Sequence, residues 1–555
     1  MELIEKNQRC ANCGVRFPLT DRDLAFYRRL QVPPPQWCPQ CREMRRMAWC
    51  NENVLYQASC AKCARSVVAQ FPASGPRTIF CIDCWWGDAW SGEDYAKAPD
   101  FSRSFFEQFH ELELRVPHAC VATDVGNENS EYTHHAGQER NCYYIFHATF
   151  CEDCYYGYGV KKAKDCVDVH NCFESEFCFE CVDVDKCYEL AWSQDCFNCA
   201  TSCFLRDCIG CTDCYLCVGL RNKCYCWMNE QLTKEEYLAR LRKIDTGSRK
   251  TVVRLQAEFA RLEAAYRWKA LRHTMVEHSS GDYLINARHA DHCFDCRDVE
   301  ECKYCSQLQL GARHCYDMYQ FGVNMELCYE GAMVGTNAYN VHFSALCIWQ
   351  VSDLNYCMEC YTTSNCLLCF GLKRKKFCIL NKEYTEAEYR QLSGQIIRKM
   401  AADKEYGEFF PLKYSQFGYN ETTAMRWFPL TEEEVRQKGW RWSSSLPGTF
   451  RKETVDAVPD SIGSVGNEIL NEVLRCTSCG RNYRLIAQEL AFYRRHNVPL
   501  PVQCFECRRT RRMLSRNPRQ LWESSCALCA APIVTSFSPE SKKCVVCDKC
   551  YHARI

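Results

Sequence analysis

Sixteen cysteines near the two ends of this chain stand in pairs with two residues between them, and the pairs themselves come in twos. The first module reads Cys10-x2-Cys13 and then Cys38-x2-Cys41. The second reads Cys60-x2-Cys63 and then Cys81-x2-Cys84. Adding 466 to every number lands on Cys476, Cys479, Cys504, Cys507, Cys526, Cys529, Cys547 and Cys550 without a gap. Residues between the cysteines recur at the same offset. Ala25-Phe26-Tyr27-Arg28-Arg29 returns as Ala491-Phe492-Tyr493-Arg494-Arg495, and Arg45-Arg46-Met47 as Arg511-Arg512-Met513.

A CxxC turn aims two thiolates at one point, and two such turns close a tetrahedral four-sulfur shell that suits Zn2+. A closed shell leaves no position for a reacting water. The expectation is therefore four structural zinc sites whose binding energy serves folding. Redox dithiols or reduced core cysteines are the competing reading. The last module carries an extra thiol, Cys544, so Cys544/Cys547 and Cys547/Cys550 are alternative pairs there; the offset favours the second.

The elements that must position these ligands can be read in part. Arg42 to Met47 is a helix-compatible run opening on the second knuckle, an order that resembles a treble clef. Thr20-x-x-Asp23 ahead of Leu24–Leu30 has the form of a capped short helix. The second module, with Val67-Val68 and Thr78-Ile79-Phe80, reads as a plain zinc ribbon. The domain scheme is a treble-clef-like module at 1–50 and a zinc ribbon at 51–99, repeated at 470–519 and 520–555.

Between the ends lie thirty further cysteines of the chain's 48. Seventeen fall between 142 and 226, and fifteen of these stand a multiple of three residues from Cys142; Cys203 and Cys224 do not. Chance would put about a third in phase, so the stretch is a repeat. Short β-prone pieces broken by Asp and Asn suit a β-solenoid, with cysteine as a small core residue. Cys208, Cys211, Cys214 and Cys217 also form overlapping CxxC pairs, which leaves further metal open, as disulfides would be in an exported protein. A second block follows at an offset of 152: Cys214-x2-Cys217-Val-Gly-Leu-Arg matches Cys366-x2-Cys369-Phe-Gly-Leu-Lys, and Thr233-x-x-Glu236 matches Thr385-x-x-Glu388. The blocks are placed at 100–245 and 283–442, with a helical spacer at 246–282 and a linker at 443–469 that leaves the C-terminal pair mobile. Leu255, Phe259, Leu262 and Tyr266 mark one face of a helix near 252–273. The fold class is mainly β with short helices: treble-clef and zinc-ribbon pairs at both ends of a cysteine-rich β-solenoid-like middle.

Net charge is zero but unevenly spread. Residues 1–84 carry 12 Lys/Arg against 7 Asp/Glu, and residues 470–555 carry 15 against 6, so the ends stand at +5 and +9 and the remainder at −14. Basic ends point to nucleic acid as a partner; mutual attraction of ends and middle is the plainer account. The opening, Met1-Glu2-Leu3-Ile4-Glu5-Lys6, lacks the basic and apolar regions of a signal peptide, and no run approaches a membrane span. The expectation is a cytoplasmic protein in which cysteine pairs hold metal.

Several motifs together resemble a known group. Cys81-Ile-Asp-Cys84-Trp-Trp, Glu128-Asn-Ser-Glu-Tyr132, Gly418-Tyr-Asn-Glu-Thr422, Trp427-Phe-Pro-Leu-Thr431 and Phe492-Tyr-Arg-Arg495 are similar to those of uncharacterised cysteine-rich multi-zinc-ribbon proteins of metagenome-derived small-genome bacteria, which sometimes carry an acyl-CoA-transferase label that their sequences do not support. The resemblance spans nearly the whole chain. It implies zinc modules at the ends and a bacterial cytoplasmic setting, and it lends no catalytic residues.

The functional expectation is a non-enzymatic binding or scaffold protein acting through its basic zinc modules. Arg42, Arg45 and Arg46 follow one knuckle, and Arg508, Arg509, Arg511, Arg512, Arg516 and Arg519 follow its copy. Spacings of three and four put much of each set on one helix face, able to contact phosphates of nucleic acid or an acidic protein partner. Tyr27 and Tyr493 are candidates to stack on bases. Metal storage or thiol redox buffering is one alternative, although the middle is rich in aromatics. A metalloenzyme using His134, His135 and Glu128 or Glu131 is the other. The sequence holds no P-loop, GxSxG or HExxH, and no small-molecule substrate or membrane contact is indicated.

Overall fold

The structure, a computed structural model, describes residues 6–123, 125–455 and 457–553; the opening residues 1–5, read above for an export signal, lie outside it. The chain is mainly β, with β-solenoid coils in the middle, about 20 turns in all, and cysteine clusters at both ends. No described helix is long and apolar enough to cross a membrane.

The period of three has a backbone cause. From Asn129 to Met228 every third residue has a positive φ, in an unbroken series. Each such residue turns the chain through a corner. The residue after it points inward, and the next points out and joins the parallel ladder. Four three-residue sides make one coil, so strands pair at an offset of twelve, as in His134↔Phe146, Phe146↔Tyr158 and His170↔Val182. Cys142 and its fourteen in-phase partners all occupy inward positions. Left-handed backbone costs an ordinary residue about 1–2 kcal/mol, least for Asn and Asp. Those two recur at the corners and bond along the stack, as in Asn129 to Asn141 (2.9 Å) and Asn171 to Asp183 (2.8 Å). The rest is offset by paired ladder bonds between successive coils. Tyr155 N–H donates to Cys166 O at 2.9 Å, while Asp168 N–H donates back to Tyr155 O at 3.0 Å.

Such a coil leaves room for one small side chain from each wall. It also aims the inward residue's own N–H into the core, where a hydrogen-bond partner is scarce. Serine and cysteine answer that need. Cys187 N–H donates to Ser175 Oγ (3.0 Å), Cys214 N–H to Ser202 Oγ (2.9 Å) and Cys211 N–H to Cys199 Sγ (3.5 Å), each one coil back. The same side chains donate to a carbonyl two residues earlier, as Ser175 does to Phe173 O (2.6 Å) and Cys166 to Lys164 O (3.3 Å). Cysteine is thus a compact apolar filler with a weak donor and a weak acceptor.

The second solenoid begins at His273–Glu277, inside the stretch assigned to a spacer. Its first strand pairs at an offset of eleven (His273↔Leu284); coils of twelve follow (Gly281↔Cys293), pass to thirteen (Tyr316↔Tyr329, Tyr339↔Ser352) and return to twelve (Ser352↔Ser364). The extra residues sit at corners where two consecutive residues have positive φ: Leu310/Gly311, Gln320/Phe321, Thr336/Asn337 and Trp349/Gln350. Each shifts the cysteine phase by one, which hides the period in this block.

The described chain forms two compact units. One comprises Met1–Cys120 with Leu271–Leu446; the other comprises Val121–Ala270 with Pro447–Ile555. The N-terminal pair of cysteine modules therefore belongs with the second solenoid, and the C-terminal pair with the first. Within the second unit the expected spacer is a shorter helix, Arg249–Ala264, which buries Val252, Leu255 and Phe259. The chain then enters a strand, Arg267–Lys269, paired in parallel with Cys544–Val546 of the last module. The expected linker is also largely docked. Ile462, Val465 and Ile469 are buried with Phe492 and Tyr493, and Ser248 Oγ donates to Asp460 at 2.7 Å. A freely mobile C-terminal pair is thereby replaced by one packed on the first solenoid.

Candidate metal centres

Each terminal knuckle is a hairpin end. Strands Lys6–Arg9 and Arg16–Leu19 carry Cys10 and Cys13, and Gly14 follows with φ +76°, a corner where glycine is relaxed. Cys38 and Cys41 open the helix Pro39–Met47, whose N-cap is Cys38. Between the knuckles Thr20 caps the helix Asp21–Arg29 in a reciprocal box with Asp23, as its spacing anticipated. The second module repeats the plan with hairpin Tyr56–Ser59/Ser66–Ala69, and Cys81 caps a helix, Ile82–Trp86. A plain ribbon was expected there; the five-residue helix at the closing knuckle departs from it. In the C-terminal copy Cys504 and Cys547 likewise cap the helices Phe505–Leu514 and Asp548–His552.

Four tetrads result: Cys10, Cys13, Cys38, Cys41; Cys60, Cys63, Cys81, Cys84; Cys476, Cys479, Cys504, Cys507; and Cys526, Cys529, Cys547, Cys550, with all sulfurs in each group within 4.8 Å of one another. A tetrahedral shell with metal–thiolate bonds of about 2.3 Å has sulfur–sulfur edges of about 3.8 Å. The inter-knuckle pairs Cys13–Cys38, Cys63–Cys81, Cys479–Cys504 and Cys529–Cys547 all measure 3.7 Å. The spacing fits one ion per tetrad. Backbone N–H groups favour the anionic sulfurs: Cys38 N–H donates to Cys10 Sγ (3.2 Å) and Cys547 N–H to Cys526 Sγ (3.3 Å). The N–H groups of Cys547 and Cys529 bring the Cys526 thiol down to about 6. Cys544 lies outside the tetrad, on the strand beside it.

The central cysteines behave otherwise. Cys208, Cys211, Cys214 and Cys217 line one coil, one from each wall, and are buried core. Among the described residues only one central group gathers as the tetrads do: Cys166, Cys172 and Cys178, all buried. The histidine and glutamate candidates do not converge on a metal. His134 Nδ1 accepts from Ala122 N–H at 2.9 Å, and the His135 ring stacks on His147. Glu128 and Glu131 lie exposed on the outer wall.

The arginines are placed against expectation. Arg42, Arg45, Arg46, Arg508, Arg509, Arg512 and Arg516 are all at most 8% exposed. Arg42 and Arg46 share Asp317 (2.9 and 3.3 Å), and Arg45 pairs with Glu330 at 2.7 Å. The copy repeats this: Arg508 and Arg512 share Asp168 (3.0 and 2.9 Å), Arg511 meets Glu180 at 2.5 Å and Arg516 meets Asp183 at 2.7 Å. Arg509 packs over the Tyr158 ring at 4.9 Å. Arg519 is half-buried. Arg511 alone of those that meet solenoid carboxylates stays exposed, its side chain 52% accessible; the other arginines of these helices turn inward, so most of the face read as phosphate-contacting is internal. Tyr27 and Tyr493 are likewise buried; Phe26, beside Tyr27, stacks on Tyr316 at 3.8 Å, and Tyr493 donates to Glu489.

Glu139 was missed, although the period of three places it inward, one step before Cys142. It is 1% exposed, and burial beside Cys151 pushes its carboxyl up to about 9.

No protein-family model matches the chain, and a search of curated proteins returns no match.

Proposed function

We propose that this protein is a zinc-dependent, non-enzymatic scaffold that binds a protein partner on the free walls of its solenoids. In this reading four Zn2+ ions hold treble-clef-like and ribbon-like modules, and each module pair clamps a solenoid. The observation that carries it is the burial of Arg42, Arg45, Arg46, Arg508, Arg512 and Arg516 against solenoid carboxylates: the helix faces read as phosphate-contacting meet carboxylates inside the molecule. That leaves the repeated outer walls as the presenting surface. In the first solenoid one wall alternates Glu128, Arg140, Glu152 and Lys164, with Lys164 to Glu152 at 3.3 Å. Elsewhere Phe150, Phe197 and Ile209 stand 59%, 43% and 40% exposed. Rows of alternating charge and exposed aromatics suit a protein surface better than a phosphate backbone.

Binding of labelled random-sequence nucleic acid across a salt series tests the reading. Weak association with little salt dependence is expected. Tight binding that falls steeply with salt would contradict it, because that slope counts phosphates neutralised by exposed cations.

A further inference from the structure

We propose that Cys166, Cys172 and Cys178 form a three-coordinate site for a soft monovalent ion, Cu(I), inside the first solenoid. Core thiols that follow one another on the same wall are separated by the inter-strand spacing of about 4.8 Å. This group is built differently. Cys166 and Cys178 lie on the same wall one coil apart. Cys172 comes from the opposite wall, half a coil further along, and reaches across the narrow core between them.

The Cys166–Cys172 sulfurs are 3.9 Å apart, and all three sulfurs lie within 4.8 Å of one another. A planar three-sulfur shell with metal–thiolate bonds of about 2.3 Å has edges of about 4.0 Å. Three soft donors at this spacing, with no carboxylate or imidazole in the group, select a thiophilic d10 ion over a hard one. All three residues are 0% exposed, a setting that excludes water as a fourth ligand. Binding replaces thiol protons with the ion and involves no electron transfer.

The second solenoid supplies an internal contrast. Cys315 and Cys328 occupy the equivalent wall, but the residue facing them from across the coil is Gly322, and Met325 and Leu308 fill the space beside it. One such site per chain is therefore expected.

The test uses the full chain, produced in copper-supplemented cells, purified without oxygen and counted for both metals. Cys172→Val is the informative variant. Cys172 pairs in register with Val160 and Val184, so valine is already the residue of that wall on both sides. The parent should carry one copper, with a three-sulfur shell by X-ray absorption, in addition to its zinc. Cys172→Val should lose the copper while its zinc content and melting temperature stay within error of the parent. Parent protein without copper would overturn the proposal, as would a variant that retains it or copper gained only as zinc is lost. Zinc is counted in the same samples, so failure here is distinguishable from failure of the zinc assignment.

Discussion

Glu139 occupies a position that the solenoid otherwise gives to small or apolar side chains, and its chemistry follows from that place. Its carboxyl, ordinarily at 4.5, is pushed up to about 9 by burial and by nearby Cys151. The folded chain thus keeps a proton that the unfolded chain releases near 4.5. Its contribution to stability is complete below that pH and is lost as pH rises toward 9. Glu139→Gln keeps the shape and removes the titration. The variant should match the parent's melting temperature near pH 5 and exceed it by several degrees near pH 8; parallel pH profiles for the two proteins would contradict this. The residue was legible in principle, because counting back three from Cys142 finds it. A carboxylate nevertheless reads as an outer-wall residue until the corners are seen.

At the scale of elements, the working joints are the helices Pro39–Met47 and Phe505–Leu514. Each starts on two cysteines of a tetrad and ends on arginines, so one short helix ties a cysteine tetrad to a solenoid. The duplicated cysteines and the basic runs could be read directly from sequence. Their orientation could not, since three-and-four spacing defines a face without saying what covers it. The covering groups, Asp168 and Asp317, sit at left-handed corners where Asp looks like ordinary turn punctuation. Asp168→Ala would leave Arg508 and Arg512 buried without their shared acceptor. Removing one partner of a buried ion pair costs about 3–5 kcal/mol. The unfolding transition of the unit containing the first solenoid should move by that order in urea, with metal still bound below the transition. A shift under about 1 kcal/mol would show that the clamp contributes little.

Across the whole molecule, one plan is used twice: a tandem cysteine-tetrad pair and a twelve-residue-coil solenoid. The first solenoid keeps strict coils, and its period of three stands in the sequence. The second inserts single residues at four corners, and the same count loses phase there. The assignment of each terminal pair to a solenoid was beyond sequence reasoning, because adjacency along the chain suggests the other pairing. The uneven charge, basic ends against an acidic middle, is met inside each unit by the arginine–carboxylate pairs.

Metal content tests most directly whether the four cysteine tetrads close as thiolate shells around zinc. Protein purified under reducing conditions without added chelator should contain four zinc ions per chain, lowered to three by Cys13→Ser and again to three by Cys479→Ser. Zinc-free protein that is nonetheless folded would contradict the account, as would eight or more zinc ions, which would move the metal into the solenoid cores.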